Sequence, residues 1–141
     1  MRVLFLDFDG VLHPAPLASQ DRHMQWLPSL RSVLQSRQDV GIVVHSTWRY
    51  MYTPDELRDL LVDAGAPVLG VVPRGPRYEG ILWWLQLNPT FGDYRIVDDD
   101  PSEFPQPAPT QLIVCNPSEG LMTDGVLETL NRWLHGGGNS N

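Results

Sequence analysis

At 141 residues, 42% of them hydrophobic, the chain is long enough to bury one core and short for two ordinary domains. Its net charge of -7 speaks against a generic nucleic-acid or membrane-surface binder. Cys115 is the only cysteine, which excludes an intramolecular disulfide and fits a reducing, cytoplasmic setting.

Val3, Leu4, Phe5 and Leu6 form an unbroken apolar run, which predicts a strand buried on both faces. Four apolar residues make neither a signal peptide nor a membrane span. Asp7 stands where that strand leaves the sheet, followed by Asp9 and Gly10. Asp-Gly is a common turn signal, so this stretch alone carries little weight. Residues 13–25 are polar and proline-bearing and read as loop, with room between Leu12 and Trp26 for a β-hairpin flap at most. Leu27, Leu30, Val33 and Leu34 then give a helical stripe, with Pro28 in the first turn.

"VGIVVHS" predicts a second strand ending at Ser46. "TPDELRDLLVDAG" is the best-marked helix: Thr53 and Glu56 form a capping box, Pro54 sits at the first helical position, and Gly65 is the expected C-cap. "PVLGVVP" predicts a short third strand, and "YEGILWWLQL" a helix with Ile81, Leu82 and Leu85 on one side. "YRIV" predicts a fourth strand that runs into Asp98, Asp99 and Asp100. "QLIVCNP" predicts a fifth, in which Cys115 reads as a small buried hydrophobe. Val126, Leu127, Leu130 and Leu134 mark a closing helix. Residues 1–135 are expected as one domain and 136–141 as a flexible tail. Alternating strands and helices predict an α/β, Rossmann-like fold: a mainly parallel sheet of about five strands, helices on both faces, no sizeable cap.

Three of these strands end in polar groups: Asp7 with Asp9, Ser46, and the run from Asp98 to Asp100. Ligands of open α/β sheets bind at that edge, and oxygen-rich carboxylate sites suit Mg²⁺. The chain has no lysine, so a fixed cation beside such a site must be arginine, which holds phosphate oxygens bidentately. Arg77, just ahead of the third helix, is preferred over Arg74.

The segments "FLDFDGVL", "VVHSTWR", "RYEGILWWL" and "RIVDDD" resemble, in order, the four motifs of the haloacid dehalogenase (HAD)-like superfamily of phosphohydrolases. The S-x-W-R form of the second is similar to that of small HAD-like domains, some of whose relatives accompany nucleic-acid end repair. The resemblance implies that Asp7 is a nucleophile and Mg²⁺ ligand, and Asp9 a general acid/base whose backbone carbonyl ligates the metal. It implies that Ser46 binds a phosphoryl oxygen, with Thr47 a less favoured neighbour, and that Arg77 supplies the cation for which the family usually has lysine. Asp98 and Asp99 would complete the metal shell, while Asp100 caps the following turn. Gly10, Thr47 and Arg49 are expected near the substrate. Trp48 and Arg49 are evenly divided between substrate contact and packing with a surface ion pair. His13 and His45 are expected as structural or rim residues.

The implied activity is Mg²⁺-dependent hydrolysis of a phosphomonoester through an aspartyl-phosphate. A nucleotide, a polynucleotide end, a phosphoprotein or a small metabolite all remain open as substrates, with nucleic acid disfavoured by the net charge and no membrane partner. A catalytically inactive or regulatory binding module working with a partner chain is the alternative, opposed by the presence of both Asp7 and Asp9. A phosphorelay receiver domain would carry its acceptor aspartate on a later strand and a lysine near its end, and a sugar phosphomutase would need a cap.

Overall fold

Five strands, β1 (Arg2–Leu6), β2 (Val40–Val44), β3 (Val68–Val71), β4 (Asp93–Asp98) and β5 (Leu112–Val114), pair in parallel in the order β3-β2-β1-β4-β5. The computed structural model describes residues 1–18, 22–35 and 37–136. The predicted α/β, Rossmann-like architecture is therefore present, with four helices: α1 (Leu27–Leu34), α2 (Pro54–Leu60), α3 (Arg77–Leu87) and α4 (Val126–Gly136). The tail expected from 136 onward lies, from 137, outside the described residues.

The period-two alternation of β1 divides the core. Leu4 and Leu6 pack with Leu30, Leu34, Leu57 and Leu130 beneath α1, α2 and α4, while Val3 and Phe5 pack with Ile81, Trp84 and Ile96 beneath α3. All of β1 from Val3 to Leu6 is fully buried, as a central parallel strand must be. Its register sets the functional edge. Leu6 stands beside Val44 on one side and Val97 on the other, so Asp7, His45 and Asp98 emerge together.

Two local expectations are corrected. In α3 the buried residues are Gly80, Ile81 and Trp84, and Leu82 faces outward. That helix is apolar almost all round, so spacing does not point its face. Trp84 settles it by packing edge-on against Phe5, with ring centres 5.7 Å apart. Likewise α2 stops at Leu60, and turns carry the chain on to Gly65, whose φ of +92° needs glycine. The Thr53–Glu56 capping box forms as expected, with both bonds present. No hairpin flap forms among the described residues between Leu12 and Trp26.

Candidate active site

At the C-terminal edge of the sheet, Asp7, Asp98 and Asp99 each offer a carboxylate oxygen within 4.8 Å of the others. Asp7 and Asp98 are each about 1% exposed. Arg77, the first residue of α3 rather than the one before it, reaches into this cluster. Its Nη1 donates to both oxygens of Asp98 at 2.8 Å and to Asp7 Oδ2 at 3.4 Å. Arg74 does not take part: it is exposed and lies over the Tyr50 ring.

The two central carboxylates are driven apart. Burial, reinforced by the charge of Asp98, raises the pKa of Asp7 well above the usual carboxylate range, although Arg77 works against it. Burial pushes Asp98 the same way, but there hydrogen bonds from His45 and the Asp100 N–H, together with Arg77, outweigh it and hold its pKa low. Burial also raises Asp99. Three carboxylates facing one guanidinium leave excess negative charge in a dry place. This donor set fits a hard divalent cation such as Mg²⁺.

His45 takes the structural of its two expected places, structural or rim. It is fully buried and its Nε2 lies 2.8 Å from Asp98 Oδ2. A carboxylate only accepts, so Nε2 carries the proton. Nδ1 has no partner among the described residues, consistent with burial lowering the imidazole pKa and keeping the ring neutral. The signal was in the sequence: a histidine ending the apolar run "VGIVV" must find a polar partner once buried.

Asp9 is set apart from the cluster by its own partners. His13 Nε2 lies 2.7 Å from Oδ1, and Trp48 Nε1 donates to Oδ1 at 3.1 Å and Oδ2 at 3.2 Å. The Met24 N–H donates to His13 Nδ1 at 3.1 Å, so the proton of that buried ring sits on Nε2 and points at Asp9. Met24 holds a φ of +58°, a conformation uncommon outside glycine, in presenting that N–H. Of the two expectations for His13, structural or rim, the structural one holds: it is a buried partner of Asp9. Its spacing four residues after Asp9, across a turn through Gly10 (φ +75°), was the available clue. Gly10 itself leaves room for Asp99, because a β-carbon there would collide with the Asp99 carboxyl.

Ser46 is fully buried at the same edge, and its Oγ accepts from the Trp48 N–H at 3.1 Å, capping a short 3-10 turn over Thr47–Tyr50. Its hydroxyl proton remains to donate. Thr47 is exposed. Among the described residues Arg49 forms no ion pair. It is 6% exposed, and its guanidinium donates to the carbonyls of His45, Ser46, Pro73 and Gly75. Those bonds consume the donors a substrate would use, so Arg49 ties the connection after β2 to the connection before α3. Asp100 caps the turn at Pro101–Glu103 through Oδ1, as expected. Burial raises the Cys115 thiol to about 12, in keeping with a small buried hydrophobe.

Residues 3–131 match the family described as the HAD domain in Swiss Army Knife RNA repair proteins. The chain belongs to that family. The match spans all five strands, so the order of Asp7, Ser46, Arg77 and Asp98 along this HAD domain is the order in which β1, β2, α3 and β4 deliver them to one edge. No curated protein and no solved structure matches the chain. No helix among the described residues is long and apolar enough to cross a membrane.

Proposed function

We propose that this HAD domain hydrolyses a terminal phosphomonoester of RNA in the presence of Mg²⁺, through an aspartyl-phosphate on Asp7. The observation that carries the reading is the joint placement of Asp7, Asp98, Asp99 and Arg77, with Asp9 held two residues away by different donors. The family description, which names RNA repair proteins, supports RNA as the substrate class, and a terminal phosphomonoester is the bond that a phosphohydrolase would cleave there. Asp7, Asp98 and Asp99, with the Asp9 carbonyl, would hold Mg²⁺, which supplies charge neutralisation for the nucleophile and the transferring group.

An Asp7 oxygen attacks phosphorus as the bond from phosphorus to the leaving ribose oxygen breaks, and Asp9 gives that oxygen its proton. Water then attacks the phosphorus of the acyl phosphate, Asp9 takes a proton from it, and the bond to Asp7 breaks to release phosphate. Arg77 and the Ser46 hydroxyl stabilise charge on the phosphoryl oxygens through both steps. His13 and Trp48 hold Asp9 in place between them.

The test is phosphate release from an end-phosphorylated oligoribonucleotide, a mononucleotide, a phosphopeptide and a sugar phosphate, with Mg²⁺ and with chelator. The oligoribonucleotide should be the best substrate, and chelator should stop the reaction. Asp7→Asn should reduce turnover by more than about a thousandfold, as loss of a nucleophile does. Metal-independent release, or an Asp7→Asn protein as fast as the parent, would overturn the mechanism. Preference for one of the other three esters would overturn the substrate.

A further inference from the structure

A second feature lies beside the site. The segment 49–54 and Arg74 enclose an open groove of about 410 Å³. It joins the catalytic edge at two points. On one side Tyr52 stacks on Trp48, with ring centres 5.5 Å apart and planes 27° off parallel, and Trp48 Nε1 donates to Asp9. On the other, Arg74 stands three residues before Arg77, whose guanidinium lies between Asp7 and Asp98.

Two arginines and two tyrosines line the groove, and no carboxylate does. Glu56 stands beyond the rim, where its Oε1 accepts from the Thr53 N–H at 2.8 Å, so the positive charge is confined to the lining itself. Arg49 is spent on carbonyls. Arg74 has no carboxylate partner among the described residues, and its guanidinium carbon lies 5.3 Å from the Tyr50 ring centre. The Tyr50 hydroxyl accepts from the Gly75 N–H at 2.8 Å, which fixes that ring and with it the place of Arg74. Tyr52 is 36% exposed although Trp48 covers one side of it.

We propose that this groove is the platform for the end of a single-stranded RNA: a base near the terminal phosphate stacks on Tyr52, and Arg74 takes a backbone phosphate. An aromatic face backed by another ring, beside an unpaired guanidinium, is what single-stranded nucleic acid uses. A ring column from Tyr52 through Trp48 to Asp9 brings the stacked nucleotide next to the group that protonates its leaving oxygen. The groove of about 380 Å³ near α1 fits less well. Arg22 and Arg31 line it, but Asp63 does too, and Arg31 faces that carboxylate at 3.9 Å.

The inference rests on the phosphorylated-RNA reading of the site, and binding tests it separately from hydrolysis. A six-nucleotide single-stranded RNA with one terminal phosphate, labelled at its other end, is titrated with the Asp7→Asn protein and followed by fluorescence anisotropy. Adding Tyr52→Ala should weaken binding about tenfold, the usual cost of losing one stacked base, and Tyr52→Phe in its place should restore it. Adding Arg74→Ala should lower the salt dependence by about 0.7 in slope, the loss of one phosphate contact to a single strand. Adding Arg31→Ala should change neither. Equal affinities for all these proteins, no binding by the starting protein, or weakening only by Arg31→Ala would each overturn the proposal. Tyr52-dependent binding by a protein whose Asp7-containing parent released no phosphate would leave the platform standing and remove the hydrolysis.

Discussion

Both edges of the sheet carry buried or half-buried charge, and they are built to opposite plans. At the N-terminal edge Asp39 and Asp93 face three arginines: Arg2 meets both, Arg37 meets Asp39 and Arg95 meets Asp93. Those carboxylate side chains are 42% and 46% exposed, and the Arg37 hydrogen bond lowers the pKa of Asp39. At the C-terminal edge three carboxylates face one arginine, and Asp7 and Asp98 are 2% and 1% exposed. One edge is a staple whose charges are matched and wetted. The other gathers three carboxylates, two of them buried, about one guanidinium, at a cost to folding.

The largest test of this contrast removes one arginine from each edge. Arg77→Ala should lower kcat about a hundredfold, the loss of about 3 kcal/mol of preorganised charge at the transition state. Arg77→Lys should recover part of it, as a point charge in place of a fork. Arg2→Ala should leave kcat within about twofold, because Asp39 and Asp93 each keep a second arginine. Steady-state kinetics on one ester decide it. An Arg2→Ala protein as slow as Arg77→Ala would end the distinction between the edges.

Next in size is stability against pH, measured by thermal melts in chelator. Burial and the Asp98 charge raise the Asp7 pKa, so the folded protein keeps a proton that the unfolded chain gives up in the ordinary carboxylate range. That stability is present in full below the ordinary range and is lost as pH rises from it up through the raised Asp7 pKa. Asp7→Asn should melt about 4 °C above the parent at pH 7, the shift that about 1 kcal/mol gives a chain of this length, with the gap closing near pH 4. Asp39 has a lowered pKa, so its contribution is present above the ordinary range and lost as acid protonates it. Asp39→Asn should melt about 2 °C below the parent at pH 7, with that gap closing in acid too. Shifts of the same sign in both variants would contradict the comparison.

The smallest effect belongs to Arg37→Ala. Its pair with Asp39 is largely solvated, and Arg2 remains, so the melt should move by less than about 2 °C, with activity unchanged. A large drop would mean that the N-terminal edge is less redundant than its geometry indicates.

The strands and their shared edge were legible because β1, β2 and β4 are short apolar runs that each end in a polar residue. Asp7, Ser46, Asp98 and Asp99 stand at or just beyond those ends, and all four emerge at one edge of the sheet. The choice of Arg77 over Arg74 rested on position relative to a helix, and the hydrogen bonds to Asp98 agree with it. What sequence did not give were the long-range partners. The bond from His45 to Asp98 spans 53 positions, and the Trp48 indole meets Asp9 across 39. Neither spacing repeats in a way a local pattern reveals. Arg49 stays evenly divided between two readings in the sequence for a related reason: the carbonyls that take up its donors belong to two connections that only the fold brings together. In α3, two adjacent tryptophans made every side apolar, so only the Phe5 ring told which one turned inward.

Arg49 has a consequence for how the site meets its substrate. By bonding carbonyls of both connections, it rivets them into one body, and the mouth between them has a fixed width. No cap rises from either connection to shut it. On the proposed reading, an ester bound there gains nothing from movement of these two connections, and it meets them as one rigid surface. Discrimination then falls to whatever part of the molecule extends past the phosphate and over the rim. Small and large esters meet the same reacting groups, but only a large one covers them from water with its own bulk.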